Sequence, residues 1–126
     1  MPLRPASRSR FLFLFFLAAL VLSLSAAAGA HPPMKNLGGS FVIKDEEWYI
    51  CDKSPRPNVN VPAHVDESSY SPDTKIKMGG DDPVVGTNEH VKARNICIFM
   101  GHRLEYFQNP ALAALFTNSI FWAAHQ

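Results

Sequence analysis

The chain has 126 residues, 47% of them hydrophobic, with 12 Lys and Arg against 11 Asp and Glu and two cysteines. That length supports one domain at most. Without its first 30 residues, which read as a leader, it keeps nine basic residues against eleven acidic ones, which excludes the basic surface that nucleic acid requires and a polybasic membrane-surface function.

The leader comes first in the chain. Arg4, Arg8 and Arg10 form a positive start, Phe11 to Leu24 is an apolar core, and Ser25 to Ala30 supplies small residues for a peptidase. Residues 1–30 therefore read as a secretory signal peptide, and residues 31–126 as a single small mature domain that is secreted. Cleavage after Ala28 and cleavage after Ala30 both satisfy the small-x-small rule; the second leaves His31 as the first residue. The competing reading is an uncleaved anchor, because the stretch from Phe11 to Ala30 carries no charge. Cleavage leaves no stable membrane insertion.

Ser40–Lys44 and Glu47–Cys51 are rich in β-branched and aromatic residues and predict a hairpin turning at Asp45-Glu46. Residues 52–73 hold Pro55, Pro57, Pro62 and Pro72 and predict a long loop with one edge strand near Asn58–Val61. Thr74–Met78 alternates polar and apolar residues. The run Gly79-Gly80-Asp81-Asp82-Pro83 predicts a turn before Val84-Val85. Val91–Met100 predicts the central core strand, with Cys97 in the middle of the sheet. Asn109 and Pro110 form a helix start, and Ala111–Ala124 predicts a helix packed on the sheet.

Cys51 and Cys97 are the only cysteines, and the secretory route is oxidising, so they are expected to form a disulfide. In the chain-entropy view such a bond stabilises a small domain by roughly 4 kcal/mol. The fold class expected is α+β: a small antiparallel sheet, one disulfide and a C-terminal α-helix packed on the sheet.

Five histidines lie beyond the leader, and imidazole is a common ligand for copper and zinc. His31 as a mature N-terminus could bind copper through its amine and ring together, with His64, His90 or His102 completing a nitrogen set. That brace resembles the chemistry of secreted copper monooxygenases and small periplasmic copper carriers. The order Cys97, His102, Gln108, with His64 upstream, resembles the ligand order of blue-copper proteins, which would require Cys97 to stay out of a disulfide. The clusters His64–Glu67, Asp81-Asp82 and Glu89-His90 fit no hydrolase or EF-hand spacing. Without a recognisable nucleophile, the expected function is extracellular protein binding without catalysis and without a required cofactor, copper binding being the alternative. The partner would be an extracellular protein held by Trp48, Tyr49 and Tyr70, because aromatic side chains dominate interface hot spots.

Overall fold

A computed structural model describes residues 13–14, 19–24, 31–49, 53–69 and 79–124, with backbone alone for residues 13–14, 19–24 and 48. The strands are β1 (Phe13–Leu14), β2 (Ala19–Leu24), β3 (Ser40–Lys44), β4 (Trp48–Tyr49), β5 (Asn60–Val65), β6 (Pro83–Thr87) and β7 (Ile96–Ile98), followed by the helix α1 (Pro110–Ala123). Five strands form one antiparallel sheet in the order β3-β2-β5-β6-β7, while β1 and β4 pair separately. The result is a small α+β fold with one C-terminal helix. Among the described residues no helix is long and apolar enough to cross a membrane.

β3 follows the two-residue period expected of a strand with one buried face: Phe41 and Ile43 are buried, while Ser40, Val42 and Lys44 are exposed. The same alternation runs through β7, where Ile96 and Ile98 pack against the core and Cys97 points away from it. In register, Val85 lies opposite Ile98 and Thr87 opposite Ile96, which places these residues on the core face. α1 begins as the sequence predicts. Asn109 caps it, its side-chain oxygen accepting the Ala111 N–H at 3.0 Å, with Pro110 in the first turn. Leu112 and Leu115 are fully buried against Met34, Val85 and their neighbours, each removing apolar area worth about 2 kcal/mol from water. The Asn109 amide also donates to the Val42 carbonyl at 2.8 Å, tying the start of the helix to the edge strand β3.

Several expectations are corrected. The stretches Ser40–Lys44 and Trp48–Tyr49 are strands, but they pair with β2 and β1 rather than with each other. Asp45 takes the left-handed conformation, with φ 60°, which short polar side chains tolerate, and the chain turns inward at Glu46 instead of closing a hairpin. Residues 52–73 are not one long loop: β5 is an inner strand between β2 and β6. Pro62 fits there because the pairing with β6 shifts register between Asn60 and Ala63, so the missing donor falls at an irregularity. The core strand expected over Val91–Met100 shrinks to β7, which lies at the sheet edge.

Among the described residues no disulfide is shown: Cys97 is an exposed thiol on an edge strand, and strand alternation aims it away from the core. Cys51 lies outside the described residues, as do Tyr70 and the stretch Thr74–Met78. β2 falls within the apolar stretch that reads as a leader, and its backbone pairs on both sides, with Phe41 opposite Leu22 in β3 and Val65 opposite Leu22 in β5.

Candidate functional site

The inward turn at Asp45 creates the most structured polar cluster among the described residues. Glu46 is 1% exposed, a degree of burial that a carboxylate tolerates only when its oxygens are satisfied. They are. Glu46 Oε2 accepts the Gly101 N–H at 2.7 Å, and Oε1 accepts the Glu47 N–H at 3.0 Å and the Nδ1 of His102. The bond to His102 requires the proton on Nδ1, which fixes the ring orientation and directs Nε2 the other way. Nε2 stands 3.4 Å from a Glu47 carboxylate oxygen, and the His102 side chain remains 26% exposed.

Two backbone features hold this cluster. Gly101 has φ 94°, a left-handed conformation that lets its N–H turn toward Glu46, and a Cβ there would stand 3.3 Å from the Phe107 ring. Leu104–Gln108 then forms a short 3-10 turn that presents Tyr106. The Tyr106 ring lies edge-on to His102 with centroids 5.2 Å apart, and its hydroxyl donates to the Asp45 carbonyl. Burial first, and then the Glu46 charge, push the Tyr106 phenol above its usual range, so it stays a neutral donor. The two ends of the cluster, 45–47 and 101–106, are thereby locked across more than fifty residues of sequence.

The four histidines singled out as metal ligands are dispersed. His102 belongs to the cluster just described. His31 packs against the Trp122 ring, centroids 5.1 Å apart, with Nε2 3.4 Å from the Thr87 hydroxyl. Its Nδ1 is buried and has no hydrogen-bond partner among the described residues, and burial lowers its pKa against the opposing charge of Glu89. His64 lies on β5 opposite Pro83, and His90 is exposed, its backbone N–H held by the Asn88 side chain at 2.9 Å. Among the described residues no three His, Cys, Asp or Glu side chains gather as a metal-binding group. Trp48 and Tyr49 form β4, with the Tyr49 side chain half-buried.

Sequence reasoning missed Glu46 and the positioning role of Tyr106. Glu46 reads as an ordinary acidic turn residue, and no local pattern links Tyr106 to it. The one available signal was His102 itself, placed directly after a glycine that closes an apolar strand. An imidazole oriented by a buried carboxylate, with its second nitrogen beside the Glu47 carboxylate, can take or give a proton.

Comparison with known proteins gives the cluster a context. The family described as ThuA, trehalose utilisation, matches residues 18–123. A crystal structure of a ThuA-like protein from Bacteroides uniformis is similar at 27% identity and a TM-score of 0.71, covering 90% of this chain and 47% of that one. The chain thus spans about half the length of that relative. No curated protein matches it. With the family matched over all but the two ends, and a solved member sharing the fold, the chain belongs to the ThuA, or trehalose utilisation, family.

Proposed function

We propose that the Glu46–His102 pair performs acid–base chemistry on a hydroxylated sugar of the trehalose class. The observation that carries this reading is the buried Glu46 carboxylate bonded to Nδ1 of His102, which leaves Nε2 toward the Glu47 carboxylate. The family description, trehalose utilisation, supports the choice of a sugar of this class. A non-reducing disaccharide reacts by proton transfer to its glycosidic oxygen as water adds at the anomeric carbon, a proton transfer that a positioned imidazole accelerates by about two to four orders of magnitude. In this reading His102 exchanges the proton, Glu46 holds the ring and stabilises its charged form, and Glu47 receives a substrate hydroxyl as a hydrogen-bond donor.

The test is to incubate the protein with trehalose in deuterated buffer and follow the sugar by proton NMR. Appearance of free glucose signals, from water adding at the anomeric carbon as the protonated glycosidic oxygen leaves, that is lost in His102→Ala and strongly reduced in Glu46→Gln is the expected result. A wild-type protein that neither alters trehalose nor perturbs its signals on binding contradicts the proposal.

A further inference from the structure

The five-stranded sheet has two edge strands, β3 and β7, and they are finished differently. An edge strand offers unpaired backbone donors and acceptors to any strand that matches them, and proteins blunt it with charge, proline, bulges, cover or shortness. β3 ends on the exposed Lys44, and the Asn109 amide covers its Val42 carbonyl at 2.8 Å. β7 reads Ile-Cys-Ile, without charge or proline, and its register against β6 is unbroken. Shortness is its one defence.

The phase of the β6–β7 ladder shows which backbone groups are open. The Phe99 N–H donates to the Val84 carbonyl at 2.8 Å, so alternation aims the N–H and C=O of Cys97 at Gly86, its register partner, and those of Ile96 and Ile98 at the outer edge. Among the described residues no strand lies beyond β7 and nothing pairs with these four groups. The Ile96 and Ile98 side chains pack against the core, yet neither is fully buried.

We infer that β7 pairs antiparallel with β7 of a second copy of this chain, about a two-fold axis through Cys97. A second copy fits because the edge is self-complementary in one register. With Cys97 opposite its own copy, Ile96 exchanges both backbone bonds with Ile98 of the other protomer, and Ile98 does the same with Ile96. All four outward groups are then satisfied within the strand, whereas an axis through Ile96 or Ile98 would draw on residues beyond it. The same register sets Ile96 beside Ile98 on the core side and Phe99, 43% exposed, beside Asn95 on the other. Arg94 falls opposite Met100, so like charges do not meet. The two Cys97 residues form the non-hydrogen-bonded pair, with Cα atoms about 4.5 Å apart, inside the span of about 4.4–6.8 Å that a disulfide bridges. The inference rests on the backbone edge, with Cys97 only as its reporter, and does not depend on the chemistry proposed for His102.

The experiment uses the full chain with Cys51→Ser, so that Cys97 is the sole thiol. Sedimentation velocity over a concentration series should show a monomer–dimer equilibrium. Its dissociation constant should rise at least tenfold in Ile98→Pro, which removes an outward N–H and none of the bonds to β6, and in Cys97→Asp, which opposes two carboxylates across the axis. Diamide, an oxidant that takes up the two thiol hydrogens as the S–S bond forms, should give a reducible dimer through Cys97. Moving the thiol with Cys97→Ser and Phe99→Cys should lower that yield at least tenfold. The Cys97→Asp variant, at an exposed position and checked by circular dichroism, keeps the test decisive where Ile98→Pro does not fold. A monomer at every concentration overturns the inference. A dimer indifferent to Cys97→Asp, or one cross-linked equally well from position 99, also overturns it, since another surface or another register would then hold the two copies.

Discussion

At the level of single residues, Glu46 has the most to lose. Its carboxylate is buried and satisfies two backbone donors and an imidazole at once. Glu46→Ala leaves all three donors facing an apolar hole and is expected to destabilise the fold by about 3–5 kcal/mol, read from the urea midpoint. Glu46→Gln keeps the shape and one acceptor, so its cost should be markedly smaller; equal costs would mean that the charge, rather than the hydrogen bonding, holds the turn. His31 supplies the pH dependence. Burial favours its neutral form, so the unfolded chain takes up a proton at a higher pH than the folded one. The stability this contributes is complete above the ordinary histidine pKa of about 6.5 and declines as pH falls below it toward the folded value. Melting temperature should therefore drop between pH 7.5 and 5, and His31→Gln should flatten that slope. A slope unchanged by the substitution would assign the effect elsewhere.

The elements show what the sequence discloses and what it hides. α1 is legible because its signals are local: Asn109 caps it, Pro110 opens it, and Leu112 and Leu115 share one face. Asn109→Ala should cost about 1 kcal/mol for the cap, and more if the bond to the Val42 carbonyl counts, which a matching Asn109→Ser variant resolves because serine restores the cap but not the reach. β3 is legible through its alternation and β6 through the turns that flank Val84-Val85. β5 is not, because four prolines in residues 52–73 argue against an inner strand and only the register shift beside Pro62 makes room for one. Pairing is the least legible level. β3 and β4 look like a hairpin because they are neighbours, and what separates them is the long-range demand of Gly101 and His102 for the Glu46 carboxylate. The candidate site is invisible for the same reason: its two halves lie more than fifty residues apart in sequence, and no local spacing records their contact.

For the whole molecule the sharpest question concerns β2. The stretch that composition marks as a leader includes Ala19–Leu24, whose backbone bridges β3 and β5. Removing residues 1–30 would leave two strand edges without their shared neighbour and cut the sheet between β3 and β5. A protein lacking those residues should lose cooperative unfolding or self-associate through the open edges, whereas the full chain should unfold in one transition. A truncated form as stable as the full chain would show that the sheet closes without β2. The two roles make different demands on one segment, since a leader must stay unfolded to be handled by a peptidase and a strand must be folded to hold the sheet.

The central claim is that Glu46 fixes His102 with its proton on Nδ1 and presents Nε2 to a sugar. Long-range proton–nitrogen NMR of the imidazole-labelled full chain tests this most directly, with Glu46→Gln to locate the bond and trehalose as the added probe. His102 should show the Nδ1–H tautomer, its Nδ1 signal should move in Glu46→Gln, and its Nε2 signal should move when trehalose is added. An Nε2–H tautomer, or an Nε2 signal indifferent to the sugar, would contradict it.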